Sequence, residues 1–399
     1  MIHDNQLRHA THIVDTYKGE IPLHAWLKDF FRLNKQMGSR DRKQLSTLVY
    51  SYYRLGHAAG HLSVKDRIVT GLFLCNDQPR EWLAHFNPAY NDAIAKPLKE
   101  KLAFTDINPL DIFPWKDELS PAIDHEAFCL SFLRQPDLFL RIRPGNEATV
   151  RAKLGDQAEF IPPATLRLPN GFKLEDLLTP DKEVVVQDYS SQRVAEFLQP
   201  TAASPAPGLA SAAIGQTTPA SAESPHSFWD ACAASGGKSI LAHDLYPDMV
   251  LTASDIRESI LQNLRSRFQT AGIKKYQTFL ADLTRDDIVN LPVAHLVLAD
   301  VPCTGSGTWG RTPEDLFFFE PRKVDSYQIT QRKIMANIAT HLAPGATLVY
   351  CTCSVFKKEN EEMNAFLRDN FNLQAEKVEN LIGYPYRADT LFAARFIKH

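Results

Sequence analysis

The chain has 399 residues, 44% of them apolar, and a formal net charge of −3. That length allows two or three soluble domains with a sizeable core, and the charge gives no global basic signature of a nucleic-acid binder, so any such binding must rest on local patches. No run approaches the roughly 20 apolar residues that span a bilayer, and Met1-Ile2-His3-Asp4-Asn5-Gln6 lacks the charged-then-apolar pattern of a secretory leader. The cytoplasm is the expected compartment. Six cysteines without paired CxxC elements argue against a disulfide scaffold or structural zinc, and no metal is expected.

Leu45, Leu48, Val49 and Tyr52 recur at helical spacing, with Ser39 a candidate cap and Gly56 near the end. Similar patterns through the first hundred residues predict a helical domain over 1–106. Lys35, Arg40, Arg42, Lys43 and Arg54 make a local basic patch there, for which an ordinary solvated face is the competing reading. Pro109, Pro114 and Pro121 break regular structure and predict a connector over 107–125.

Leu138 to Arg143 alternates like a strand, and Pro144-Gly145-Asn146 turns into a helix through Val150 and Leu154. A small α+β domain over 126–183 is the expectation, with Arg141 and Arg143 as a second basic pair. Val184 to Asp188 reads as a strand and Val194, Phe197 and Leu198 as a short helix, opening a domain over 184–399. Residues 201–226 are dominated by alanine, serine, proline, threonine and glycine, with Glu223 the one charged residue before His226. Such a segment buries too little apolar surface to offset its ordering entropy, so a mobile insertion is expected.

Strand and helix signals then alternate: Phe228 to Cys232, Val250 to Ala253, Ala294 to Ala299 and Thr347 to Tyr350 as strands, with helices between, one of them through Ile334, Ile338 and Leu342. This order predicts an α/β domain with a doubly wound parallel sheet. Asp230 to Ser239 joins the first strand to a helix through small residues, and small side chains let a ligand approach the amides of a helix N-terminus. Cys232, Ala233, Ala234, Ser235, Gly236, Gly237 and Lys238 are therefore candidate cofactor contacts. A Walker A loop is excluded, because cysteine stands at 232 where that loop requires glycine. Asp255 ends the next strand 18 residues after Gly237, near the spacing at which such folds bind ribose hydroxyls, and Asp282 ends a third element where an acid can accept a bond from an adenine amino group. An adenosine-containing cofactor is the expectation.

Two cysteine segments follow: Asp300-Val301-Pro302-Cys303-Thr304-Gly305-Ser306-Gly307 and Tyr350-Cys351-Thr352-Cys353-Ser354. Each follows an apolar strand-like run, which places Cys303 and Cys353 at strand ends, where open α/β sheets carry their chemistry. Buried cysteine is common, but two at equivalent positions beside an acid and glycines favour a reactive site. Cys351 and Cys353 point to one face of a strand.

DACAASGGKS, SDI at 254–256, ADLT at 281–284, DVPCTGSG and YCTCS, in this order, resemble the motifs of the RNA cytosine-5 methyltransferases of the Sun and nucleolar-protein family. The resemblance runs from about Gln187 to the closing Asp389 to Phe396. It implies a Rossmann-like methyltransferase domain, S-adenosylmethionine as cofactor and RNA as substrate, with Asp300 on the cytosine N3/N4 edge and also beside the cofactor. It further implies Cys353 as the nucleophile that adds to carbon 6, and Cys303 as the residue that assists release. The swapped cysteine assignment, known from DNA cytosine methyltransferases, is the rival. Upstream, Met37 to Arg42 and the following helix resemble the NusB-like helical domain of bacterial 16S rRNA members, and Leu138 to Asp188 their small RRM-like domain; both would be RNA-facing. A monomer acting on 16S rRNA is the resulting expectation, with tRNA methylation, a non-catalytic ribosome-assembly protein and a small-molecule or protein methyltransferase as alternatives. Two departures stand out: Ser235 where the family has proline, and Cys351 where it has alanine.

Overall fold

The computed structural model describes residues 2–200, 226–288 and 290–399. Of the insertion expected over 201–226, all but His226 lies outside the described residues. The chain divides into two units, Met1–Pro136 with Thr308–Pro321, and Asp137–Gly307 with Arg322–His399.

The first unit is helical, built on Ile2–Thr16, Leu23–Leu33, Ser39–Tyr53 and Val64–Cys75. The stripe Leu45, Leu48, Val49 and Tyr52 is buried, each such side chain contributing about 1.5–3 kcal/mol. Ser39 is the first helical residue rather than the cap; Gly38 holds that position without a side-chain bond, whereas Ser63 caps the next helix by accepting from the Asp66 amide. Gly71 lets these two helices touch, since a Cβ there would fall 2.3 Å from the Ser51 carbonyl oxygen.

The proline-rich stretch expected to be a connector belongs to this unit, with Ile112 and Phe113 buried in it. The same core takes in the distant segment 308–321: Trp309 and Phe319 are buried, and Phe317 packs edge-on against Tyr53. These aromatics belong to the packing of the helical unit. Two members of the basic patch are structural as well. Arg54 is buried and donates to the carbonyls of Phe132, Arg134 and Gly310, and Arg42 donates to that of Met37.

The second unit contains two sheets. Strands β1 (Leu138–Ile142), β2 (Glu159–Ile161), β3 (Thr165–Leu168) and β4 (Val184–Val186) form an antiparallel sheet in the order β2-β3-β1-β4. Leu140, Ile142, Leu166 and Leu168 pack against Val150 and Leu154 of the helix Glu147–Leu154. The opposite face is also covered: Phe139, Arg141, Thr165 and Val185 are buried, and Thr165 donates to Gln192 of the following helix. An RRM reads bases on an open sheet face. This sheet offers no such face at those four positions, so the expectation that it is RNA-facing does not hold for them.

The second sheet comprises β5 (Ser227–Asp230), β6 (Val250–Asp255), β7 (Tyr276–Leu280), β8 (Leu296–Asp300), β9 (Thr347–Thr352), β10 (Leu373–Leu381) and β11 (Leu391–Lys398), in the order β10-β11-β9-β8-β5-β6-β7. The strands from β5 to β9 run parallel, while β11 is antiparallel to β9 and β10 to β11. Alternation divides each strand between two cores: Leu296, Leu298 and Val349 pack on one face, Val297, Ala299, Leu348 and Tyr350 on the other. This is the α/β Rossmann-like architecture that the alternating signals predict. Among the described residues, no helix is long and apolar enough to cross a membrane.

Candidate active site

Strand β5 is hydrogen-bonded to both β6 and β8, so the connections leave in opposite directions and a crevice opens beyond the carboxyl ends of β5 and β8. The Asp230–Ser239 segment crosses it. Ala233 donates its amide to the Ser254 carbonyl, Gly236 closes a turn onto the Ala233 carbonyl at 2.8 Å, and the helix Gly237–Leu245 begins there. Gly236 requires glycine twice over: its φ is +83°, and a Cβ would lie 2.8 Å from the Phe268 ring. Burial drives the Cys232 and Cys351 thiols to high pKa, which keeps both protonated.

Asp255, the last residue of β6, accepts from the Ala234 amide at 3.0 Å through one oxygen and from the Arg257 amide at 2.9 Å through the other. Asp282 accepts from the amide and hydroxyl of Thr284, which hold its carboxyl below the ordinary range. Asp230 is buried; one oxygen accepts from the Ser239 hydroxyl at 2.6 Å, while the other is buried without a hydrogen-bond partner. Burial pushes its carboxyl up to about 7. A carboxylate oxygen of this kind beside a small-residue helix N-terminus, with acids after β6 and β7, fits a cofactor that carries an ammonium group and a ribose. Asp230 was absent from the candidates read from sequence, although it opens the motif.

Asp300 ends β8 and receives an ion pair from Lys238 at 2.6 Å. Burial works against the Lys238 charge, but Asp300 more than offsets it, and the ammonium stays protonated. Cys353 follows β9 by one residue, and its Sγ lies 3.4 Å from Sγ of Cys303. The Cys303 thiol is raised far above its ordinary pKa by the hydrogen bond with Cys353, by burial and by the charge of Glu359.

Glu359 ties the two cysteine loops together. Its carboxylate accepts from the amide and hydroxyl of Thr304, at 2.9 and 2.6 Å, from Gln331 at 2.9 Å and from the Ser354 hydroxyl. Burial raises its carboxyl, against the pull of these donors. Gly307 completes the joint: its amide donates to the Cys353 carbonyl, and a Cβ would sit 1.9 Å from the Thr390 carbonyl oxygen. That glycine serves chain packing rather than the approach of a base. Glu359 was missed because it stands in a charged run, Lys357 to Glu362, that reads as a solvated helix start. Among the described residues, no cluster of three or more His, Cys, Asp or Glu side chains could hold a metal ion.

Residues 219–390 match the family model described as 16S rRNA methyltransferase RsmB/F. That match spans a little under half of the chain. Among curated relatives, a probable ribosomal RNA small subunit methyltransferase B of Synechocystis is 28% identical over 268 residues, which is 64% of this chain and 55% of that protein. The ribosomal RNA small subunit methyltransferase B of Xanthomonas campestris is 31% identical over 206 residues, 51% of this chain and 42% of that protein. The chain thus spans about half the length of the curated relatives it matches. Among solved structures, PH0851 has a TM-score of 0.65 at 19% identity, covering 98% of this chain and 97% of its own. A methyltransferase homolog protein from Pyrococcus horikoshii has a TM-score of 0.53 at 19% identity, over 71% of this chain and 92% of its own. At that identity these two bear on the fold, a methyltransferase-type α/β domain.

Proposed function

We propose that the protein is an S-adenosylmethionine-dependent RNA (cytosine-5)-methyltransferase of the cytoplasm, monomeric, with small-subunit rRNA as substrate. The names of the curated relatives favour rRNA over tRNA, and the presence of both cysteines with Asp300 and Lys238 favours an enzyme over a non-catalytic assembly protein. S-adenosylmethionine would supply an electrophilic methyl group. Asp255 would take the ribose hydroxyls, Asp282 the adenine amino group, and the loop Cys232-Ala233-Ala234-Ser235-Gly236-Gly237-Lys238, with Asp230 and Asp300, the amino-acid end.

Carbon 5 of cytosine is a poor nucleophile, so its methylation needs a thiolate added temporarily at carbon 6. The observation that carries the cysteine assignment is an electrical asymmetry. The Lys238 cation acts on Cys353, whereas the Glu359 carboxylate acts on Cys303. Of the pair, Cys303 is the thiol raised far above its ordinary value, by the hydrogen bond with Cys353, burial and Glu359, and Cys353 is the member assigned to form the bond to carbon 6. Asp300 accepts from the N4 amino group on the N3/N4 edge of a base flipped or presented from single-stranded RNA, which orients the ring for addition. Cys303 acts in the second half of the cycle, in which carbon 5 loses its proton and the bond from carbon 6 to Cys353 breaks.

Incubating the protein with methyl-tritiated S-adenosylmethionine and total RNA tests the reading: label in RNA as 5-methylcytidine is expected, and label in protein alone would sink it. Bisulfite sequencing of rRNA from cells with and without the gene then identifies the nucleotide.

A further inference from the structure

The loop Ala233–Gly237 is held from outside the methyltransferase sheet. Arg267, on the helix Glu258–Ala271, donates to the carbonyl and hydroxyl oxygens of Ser235, each at 3.0 Å. Its other two nitrogens grip the Asp181 carboxylate in a bidentate pair at 2.9 and 2.7 Å. Asp181 stands at the turn into β4 of the small sheet, in a left-handed conformation with φ +62°, fixed by its amide on the Val184 carbonyl and by Arg143 on its own carbonyl. The helix after the loop is gripped from the same sheet, because Asp244 near its C-terminal end is paired with Arg141 at 2.6 Å and Arg143 at 2.7 Å, all three side chains nearly inaccessible. Arg141 and Arg143, considered as a basic surface pair, are internal.

A planar guanidinium with five donors is suited to bridging two acceptor groups in fixed geometry. The small sheet thus presents a set of charged clamps to the methyltransferase domain. We propose that Asp181, Arg267 and Ser235 form a positioning relay through which the small sheet sets the conformation of the cofactor loop, so that S-adenosylmethionine affinity depends on an aspartate outside the methyltransferase sheet. The inference rests on the cofactor reading above. None of the three acts on the methyl group; they orient the amides of the loop, and their loss is felt in binding rather than in turnover.

The test uses the full chain, with S-adenosylhomocysteine titrated calorimetrically. Asp181→Asn keeps the left-handed turn, which asparagine tolerates, but removes the charge that fixes Arg267. It is expected to weaken binding about tenfold, as loss of charge-assisted hydrogen bonds would, and to speed hydrogen exchange at amides 233–238 in the ligand-free protein. Arg267→Ala is expected to do the same, and the double variant to be no weaker than Arg267→Ala alone. With in vitro transcribed 16S rRNA as substrate, KM for S-adenosylmethionine rises while kcat at saturation stays within about twofold. Wild-type affinity in Asp181→Asn, or additive losses in the double variant, overturns the relay. Should Arg267→Ala fail to fold, Asp181→Asn and the exchange data decide it. Failure of the wild-type protein to bind S-adenosylhomocysteine overturns the cofactor reading itself, and the relay with it.

Discussion

Sγ of Cys303 and Sγ of Cys353 lie 3.4 Å apart although 50 residues separate them in the chain. The parallel pairing of β8 with β9, which sets Asp300 opposite Cys351, brings the two following loops side by side. One thiol is thereby within reach of the other's proton, while opposite charges act on the two members of the pair.

The two cysteines should fail differently. Cys353→Ala is expected to lower methyl transfer by at least about a thousandfold with no RNA-linked protein, because the attacking group is gone. Cys303→Ala should accumulate an RNA-linked species on a denaturing gel. Accumulation in Cys353→Ala instead would establish the swapped assignment.

Lys238→Met removes the cation that acts on Cys353 and leaves Asp300 without its partner. The rate of alkylation of Cys353 by iodoacetamide at pH 7 should fall about tenfold or more, as its cationic neighbour is lost. Peptide mapping of the alkylated protein distinguishes this site from Cys303.

Glu359→Gln should open the joint between the cysteine loops. An amide in place of the carboxylate turns one acceptor into a donor facing Thr304, Ser354 or Gln331, at a cost of about 2–3 kcal/mol measured by urea denaturation. Glu362→Gln, in the same charged run, should cost less than about 0.5 kcal/mol.

Asp230 predicts a pH dependence. Its carboxyl is raised from 3.8 to about 7 by burial, so the folded protein binds a proton there that the unfolded chain does not. The associated stability is complete below the unfolded value, near 4, and is lost as pH rises toward 7, by up to about 4 kcal/mol. Asp230→Asn should flatten that loss between pH 5 and 8 in thermal melts, and weaken S-adenosylhomocysteine binding. An unchanged pH profile would locate the titration elsewhere.

Much of the second unit was legible because its signals are local. The strands ending at Asp255 and Asp300, and the small-residue turn before Lys238, follow from hydrophobic runs and turn chemistry that act over a few residues. The ordered motifs likewise identified the methyltransferase type. Side-chain partners across the fold were not legible. Arg54, Arg141 and Arg143 look in sequence like solvated cations, and only the folded chain supplies the carbonyls and the Asp244 carboxylate that allow them to be buried. Trp309 and Phe319 follow the Cys303 segment closely in sequence, yet the chain carries them into the helical unit's core.

The sequence by itself determined the α/β alternation, the small-residue turn before Lys238 and the strand-end positions of Cys303 and Cys353, since each depends on the residue types within one strand and the turn that follows it. Tertiary structure alone decided which charges face which thiol, that Glu359 fastens the two loops and that Asp181 reaches the cofactor loop through Arg267. Those contacts join residues tens of positions apart, and their energies depend on burial and distance that no local pattern encodes.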